Sequence, residues 1–281
     1  MSKLYVVATP IGNLKDITFR AVEILRQSNI ILCEDTRTSQ VLLNNYDIKS
    51  KLISYHKFNE EYRSESIIED MLKNDLIVSI ITDAGTPCIS DPGAYIVAKA
   101  REENIEVYAI PGPSAVISSL SVSGFYFTEF AFLGFFPREN KEQKIFLDKM
   151  DSLPIDTFVI YESPKRIIDT LTTISKRFTN IKVICCNDIT KKFEKYTYGK
   201  ITDVIDELTQ NENTTLGEYA IVFQKELLQQ KLEQEEFTIE AILVNDLIKN
   251  GGTIKDSIKR LKDKYPKNKL YDAGLNLKNL I

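Results

Sequence analysis

The sequence predicts a two-domain α/β protein with a small helical appendix, and three observations predict it. Short apolar runs alternate with helical patterns through the first hundred residues, the rhythm changes after Pro111-Gly112-Pro113, and no strand signal remains beyond Phe223. The expected division is residues 1–112, 113–225 and 226–281. A chain of 281 residues with 43% hydrophobic content can bury cores on this scale.

In the first part, residues 4–8, 30–33, 76–82 and 105–110 read as strands. Several are too continuously apolar to have a wet face, as expected inside a parallel sheet. Residues 17–27, 61–74 and 94–104 carry amphipathic helical spacing, with Asp91 placed to cap the last ahead of Pro92 and Gly93. The second part offers strands at 130–136, 157–161, 183–186, 196–198 and 219–223, with helices at 144–150, 165–177 and 201–210. That mixture predicts a mixed sheet. In the appendix, residues 237–249 and 253–265 read as a helical hairpin: Gly251-Gly252 ends one helix, Thr253 caps the next and Pro266 follows it.

Three loops punctuated by proline and glycine each follow a hydrophobic run: residues 9–13, 83–93 and 111–115. In a parallel α/β sheet that is where ligands bind, beyond the carboxyl ends of the strands. Glycine admits close approach of the backbone and proline stiffens the loop. No G-x-G-x-x-G follows the first strand and no P-loop motif occurs, so a nucleotide-like ligand without a polyphosphate fits best.

Four cysteines without a C-x-x-C pair and a single histidine, His56, leave few ligands for zinc, so no metal is expected. The apolar run at 4–8 is too short for a signal peptide and no stretch reaches membrane-span length, which predicts a reduced cytoplasmic protein with no membrane partner. Net charge is −4, yet residues 249–281 carry nine bases against three acids, a local +6 that leaves −10 on the rest. Such asymmetry suits an anionic partner; a solvated helical face would look the same.

Glu34-Asp35-Thr36-Arg37 ends the second strand. Its carboxylates can orient a hydroxyl, accept its proton, or serve as a helix cap and ion pair. Tyr161-Glu162-Ser163-Pro164-Lys165-Arg166 ends another strand; Glu162 and Lys165 reach a common cleft if the two sheets face one, or else Ser163 caps a surface turn with Pro164 at the first helical position. His56 has no triad partner by spacing and is expected at the rim or on the surface. One member of the Cys185-Cys186 pair is expected in the core.

Taken together, residues 4–14, 34–37, 54–56, 83–87 with 89–93, 111–115, Gly134-Phe135 with Pro137, and 161–164 resemble the tetrapyrrole-methylase superfamily of S-adenosylmethionine-dependent methyltransferases. Within it they are similar to the branch that modifies the 2′-hydroxyl of a decoding-site cytidine in 16S ribosomal RNA. The resemblance runs in order from about Leu4 to Phe223 and, more weakly, into the appendix. It implies a tetrapyrrole-methylase-like fold, usually homodimeric, with S-adenosylmethionine in the inter-domain cleft and the RNA within the small ribosomal subunit. By motif, the cofactor is expected at Pro10, Ile11, Ala84, Gly85, Thr86, Ile89, Ser114 and Ala115, with Glu162 and Ile189 from the second part. Two positions depart from the family pattern: Lys165 where histidine is usual, and Asn187-Asp188 before Ile189-Thr190-Lys191.

Methyl transfer to a ribose hydroxyl needs alignment and help in removing a proton. Asp35 or Glu34 is expected in that role. Arg37, Arg138, Lys165 and Arg166 are expected on RNA, joined by Lys255, Lys259 and Arg260 of the basic appendix. The competing readings are a tetrapyrrole or other small-molecule methyltransferase and a non-enzymatic ribosome-binding protein of the same fold.

Overall fold

The computed structural model describes residues 2–225, 238–262 and 264–280, with residues 279 and 280 as backbone only. The chain divides into two compact units, Met1–Glu226 and Leu227–Ile281.

The first unit begins with a five-stranded parallel sheet: β1 (Lys3–Val7), β2 (Ile30–Cys33), β3 (Lys51–Ser54), β4 (Ile77–Ile80) and β5 (Glu106–Ile110), in the order β3-β2-β4-β1-β5. β2 is buried at all four positions, as its uniform Ile-Ile-Leu-Cys run requires of a strand covered on both faces. Helices α1 (Phe19–Gln27) and α2 (Thr36–Asn45) cover one face, burying Ala21, Val22, Leu25 and Leu43. Helices α3 (Glu60–Asn74) and α4 (Ala94–Glu102) cover the other with Ile67, Ile68, Met71, Ile96 and Ala100. From β1 the chain runs toward β2, from β4 toward β5, so the connections of these adjacent strands diverge to opposite faces. Their carboxyl ends therefore open a switch-point crevice, the standard ligand position of such sheets.

The second sheet comprises β6 (Phe130–Phe135), β7 (Thr157–Glu162), β8 (Lys182–Asn187), β9 (Lys195–Lys200) and β10 (Tyr219–Gln224), in the order β6-β7-β10-β8-β9. Only β6 and β7 pair in parallel; the sheet is mixed, as predicted. Helices α6 (Asn140–Ser152), α7 (Ile167–Arg177) and α8 (Ile201–Gln210) accompany it, with Met150, Leu171, Ile174, Val204 and Leu208 packed on Phe158, Ile160, Ile221 and Phe223. The other face receives α5 (Ala115–Val122) through Val116 and Leu120, together with Ile11 from the loop after β1. Both cysteines of β8 are buried: Cys185 in the first of these cores, Cys186 in the second.

Among its described residues the second unit has three helices, α9 (Ile239–Asn250), α10 (Ile254–Leu261) and α11 (Lys267–Leu280), where the sequence predicts a hairpin. Leu243, Ile258, Leu270 and Ala273 form its core. Thr253 caps α10 in a capping box with Asp256. The helix beyond Pro266 went unforeseen because proline reads as a stop, yet it also suits the entry to a new helix. Phe237 and Asp263, used in the sequence reading, lie outside the described residues.

Other boundaries shift for local reasons. The helix expected over 17–27 starts two residues late: a 3-10 turn at Leu14–Asp16 precedes it, and Thr18 accepts the Ala21 N–H and caps α1 at Phe19. The cap of α4 is Gly93, at φ +130°, not Asp91. Nor do Ser163 and Pro164 begin α7; Arg166 stands at its N-cap, its N–H donating to the Ser163 carbonyl across a turn. β3, α2 and α5 had no clear sequence signal.

Candidate active site

At the switch point, loops after β1, β4 and β5 meet the open face of the second sheet and enclose a cleft of about 430 Å³. That is the size of a small-molecule site. The first two loops are tied together by reciprocal peptide hydrogen bonds, Thr9 N–H to Gly85 O at 2.9 Å and Gly85 N–H to Thr9 O at 3.1 Å. Thr86 Oγ1 donates to the Pro113 carbonyl at 3.3 Å and ties in the third. Gly85 sits at φ +87°, and a Cβ there would meet Ile11 Cγ2 at 3.5 Å. Cys88 and Ser90 both adopt φ +69°, backbone conformations that non-glycine residues rarely hold unless their surroundings enforce them.

The lining is apolar around acids. Ile11, Ile89, Ala115, Phe135, Cys186, Ile189 and Ala220 supply much of the surface, and every charged residue lining it is a carboxylate: Asp83, Asp91, Glu162 and Glu218. Such a site disfavours phosphate and accepts a flat apolar group bearing positive charge. Burial lifts the Asp91 carboxyl to about 6 against the pull of the Thr82 hydroxyl, with the negative charges of Glu34 and Asp83 adding to the rise. Burial likewise raises Asp83, and pushes the Tyr161 hydroxyl to about 12. Glu162 is buried; its carboxylate accepts the Ser163 N–H at 2.7 Å and the Thr170 hydroxyl at 2.5 Å, and pairs with Arg166 at 3.4 Å.

Residues 3–205 match the family model of the Tetrapyrrole (Corrin/Porphyrin) Methylases. The chain belongs to this family. Among curated relatives, it is 45% identical over 225 residues to "Ribosomal RNA small subunit methyltransferase I" of Hydrogenobaculum sp. (strain Y04AAS1), covering 80% of this chain and 96% of that one. The protein of the same name in Bacillus subtilis (strain 168) is 36% identical over 278 residues, 97% of this chain and 94% of its own. Solved structures share the fold at low identity: diphthine synthase at TM-score 0.61 and 13% identity, covering 83% of this chain and 94% of that one, and cobalt precorrin-4 methyltransferase at 0.57 and 16%, covering 79% and 94%.

Of the positions expected at the methylase cofactor, Ile11, Ala84, Gly85, Thr86, Ile89, Ser114, Ala115, Glu162 and Ile189 all line the cleft. Pro10 instead lines a neighbouring cavity. Asp35 and Glu34 line neither. Asp35 is the N-cap of α2: its carboxylate accepts the Arg37 N–H at 2.8 Å and the Arg37 guanidinium at 2.7 and 3.1 Å. Those bonds hold its carboxyl down at about 2, which makes it a poor base. The sequence left a cap with an ion pair open as one reading, and that is the geometry present.

The cations sort by what already holds them. Arg166 donates to the carbonyls of Phe136 and Pro137 at 3.1 and 2.7 Å besides pairing with Glu162, so its guanidinium is engaged inside the protein. Arg260 is similarly engaged by Asp246 and the Gly251 carbonyl within the appendix. Arg138, Lys165, Lys255 and Lys259 are exposed, and Arg37 remains open to solvent despite its pairing. Sequence reasoning missed Asp91 and Asp83 as cleft acids: in a proline- and glycine-rich loop an aspartate reads as a cap or turn, and only burial reveals otherwise.

Proposed function

We propose that the chain transfers a methyl group from S-adenosylmethionine to the 2′-hydroxyl of a decoding-site cytidine in 16S ribosomal RNA. Methylation of small-subunit ribosomal RNA follows from family membership and from relatives matched along most of their length. The observation that carries the cofactor assignment is the phosphate-averse, acidic cleft, whose carboxylates suit the sulfonium and ammonium charges of S-adenosylmethionine. In this reading Ile11, Ile89 and Ile189 pack the nucleoside, the backbone of 84–86 and 114–115 approaches it closely, and Asp91 faces its positive charge.

When bound, the cofactor supplies a methyl already activated on positive sulfur. The protein's share is alignment, exclusion of water and care of the hydroxyl proton. Asp35, consumed by its cap and by Arg37, is replaced in this scheme by Asp83, which lines both the cleft and the cavity beside it and whose carboxyl burial has raised. RNA phosphates meet Arg37, Arg138, Lys165 and the exposed Lys255 and Lys259. The reading includes a homodimer acting in the cytoplasm on the assembled small subunit. Among the described residues no helix is long and apolar enough to cross a membrane.

Mass-spectrometric mapping of ribose methylation in ribosomal RNA tests the reading. Cells lacking the chain should lose one 2′-O-methylcytidine of the small-subunit RNA and regain it on re-expression. An unchanged methylation map would overturn it.

A further inference from the structure

Beside the cleft lies a second cavity of about 290 Å³, which shares Thr82 and Asp83 with it as a common wall. Pro10 and Leu14 of the first loop form one side; Val41 and Leu42 of α2 also line it. Its lining contains no lysine or arginine, so it is no phosphate site. Two hydroxyls on its walls, Ser39 and Thr82, belong to side chains only 3% and 4% exposed. Neither makes a hydrogen bond of normal geometry: Ser39 Oγ has the Cys33 thiol nearby and Thr82 Oγ1 the Asp91 carboxyl. Buried polar atoms left in that state invite a partner from outside.

From this geometry we infer that the cavity is the acceptor pocket, taking the base of a single-stranded pyrimidine nucleoside while its ribose hydroxyl lies at the Thr82–Asp83 wall. The inference rests on the function proposed above. In-line transfer requires the acceptor oxygen within about 3–3.5 Å of the methyl carbon, so the acceptor site must share a wall with the donor site. A flat base has apolar faces and a polar edge, the complement of a cavity walled by Pro10, Leu14, Val41 and Leu42 with two unfulfilled hydroxyls. A tetrapyrrole is far too large for it. The Arg37 guanidinium, next along α2 from Thr38 and Ser39 and open to solvent, stands where the flanking phosphate would pass.

Val41 and Leu14 are both exposed enough to accept a larger side chain without disturbing the core. Val41→Trp and Leu14→Trp should plug the pocket from two sides. Expected are S-adenosylmethionine affinities within twofold of wild type by calorimetry, and kcat/KM for small subunits isolated from cells lacking the chain reduced at least 100-fold. Ser39→Ala, a smaller change, should lower kcat/KM about tenfold with the same cofactor affinity. Normal methylation by both tryptophan variants, while wild type is active, would overturn the pocket and leave the proposed function standing. A wild-type protein that binds S-adenosylmethionine but methylates no such subunit would overturn the function, and the pocket with it.

Discussion

Replacing Arg166 with alanine would leave the Glu162 carboxylate without a cation in a place where its side chain has no exposed surface. Removing one partner of a buried ion pair costs about 3–5 kcal/mol. Here the pair is 3.4 Å apart and Glu162 keeps its bonds from Ser163 and Thr170, which points to the lower end. Losing the donor to the Phe136 and Pro137 carbonyls adds about 1 kcal/mol. A total of about 3–4 kcal/mol should lower Tm by about 10 °C in a unit of this size. Arg166→Lys should recover only part of that, since one ammonium cannot reproduce a planar fork serving three acceptors. Thermal melting, alongside RNA binding measured across salt concentrations, gives the decision. An unchanged Tm with weakened, less salt-dependent RNA binding would make Arg166 a phosphate contact and refute the reasoning.

Two further outcomes follow from the carboxylates. With its carboxyl lifted to about 6, Asp91 is charged above that pH and neutral below, so affinity for the cationic cofactor should fall from pH 7 to pH 5, by at most about tenfold per unit. Asp91→Asn should flatten that profile in calorimetry. The same change should stabilise the empty protein above pH 6, because the folded state binds the Asp91 proton more tightly than the unfolded chain does and loses stability as pH rises from about 4 to 6. Asp35→Asn should keep both the cap and turnover within a few-fold in single-turnover methylation at saturating RNA; a fall of about 10²-fold or more would restore Asp35 as the base.

Much of the architecture was legible because burial writes itself into strands. The all-apolar run at 30–33 reads as a covered strand, and the proline and glycine of the three loops marked where the cleft lies. β3 was hidden because Lys-Leu-Ile-Ser is short and begins on an exposed lysine, and α2 because its Thr-Arg-Thr-Ser opening reads as polar loop while attention falls on the charges before it. The lining of the cleft was legible at Gly85 from its loop, and at Ile11, Ile89 and Ile189 only through the family resemblance. Its acids were not: Asp35 and Asp91 look alike in sequence, yet an arginine two residues away pulls one carboxyl down and burial among other carboxylates lifts the other. The left-handed backbone at Cys88 and Ser90 has no signature in the letters at all.

The segment after β1 is anchored at both ends. Thr9 is bonded to Gly85 of the parallel sheet, and three residues on, Gly12 lies so close to the turn after β8 that a Cβ would come within 2.5 Å of Lys191 Cγ and 3.1 Å of the Ile189 carbonyl. A rivet of this kind joins the two sheets beside the cleft, so a side chain larger than hydrogen at position 12 would wedge the loop after β1 away from the turn after β8.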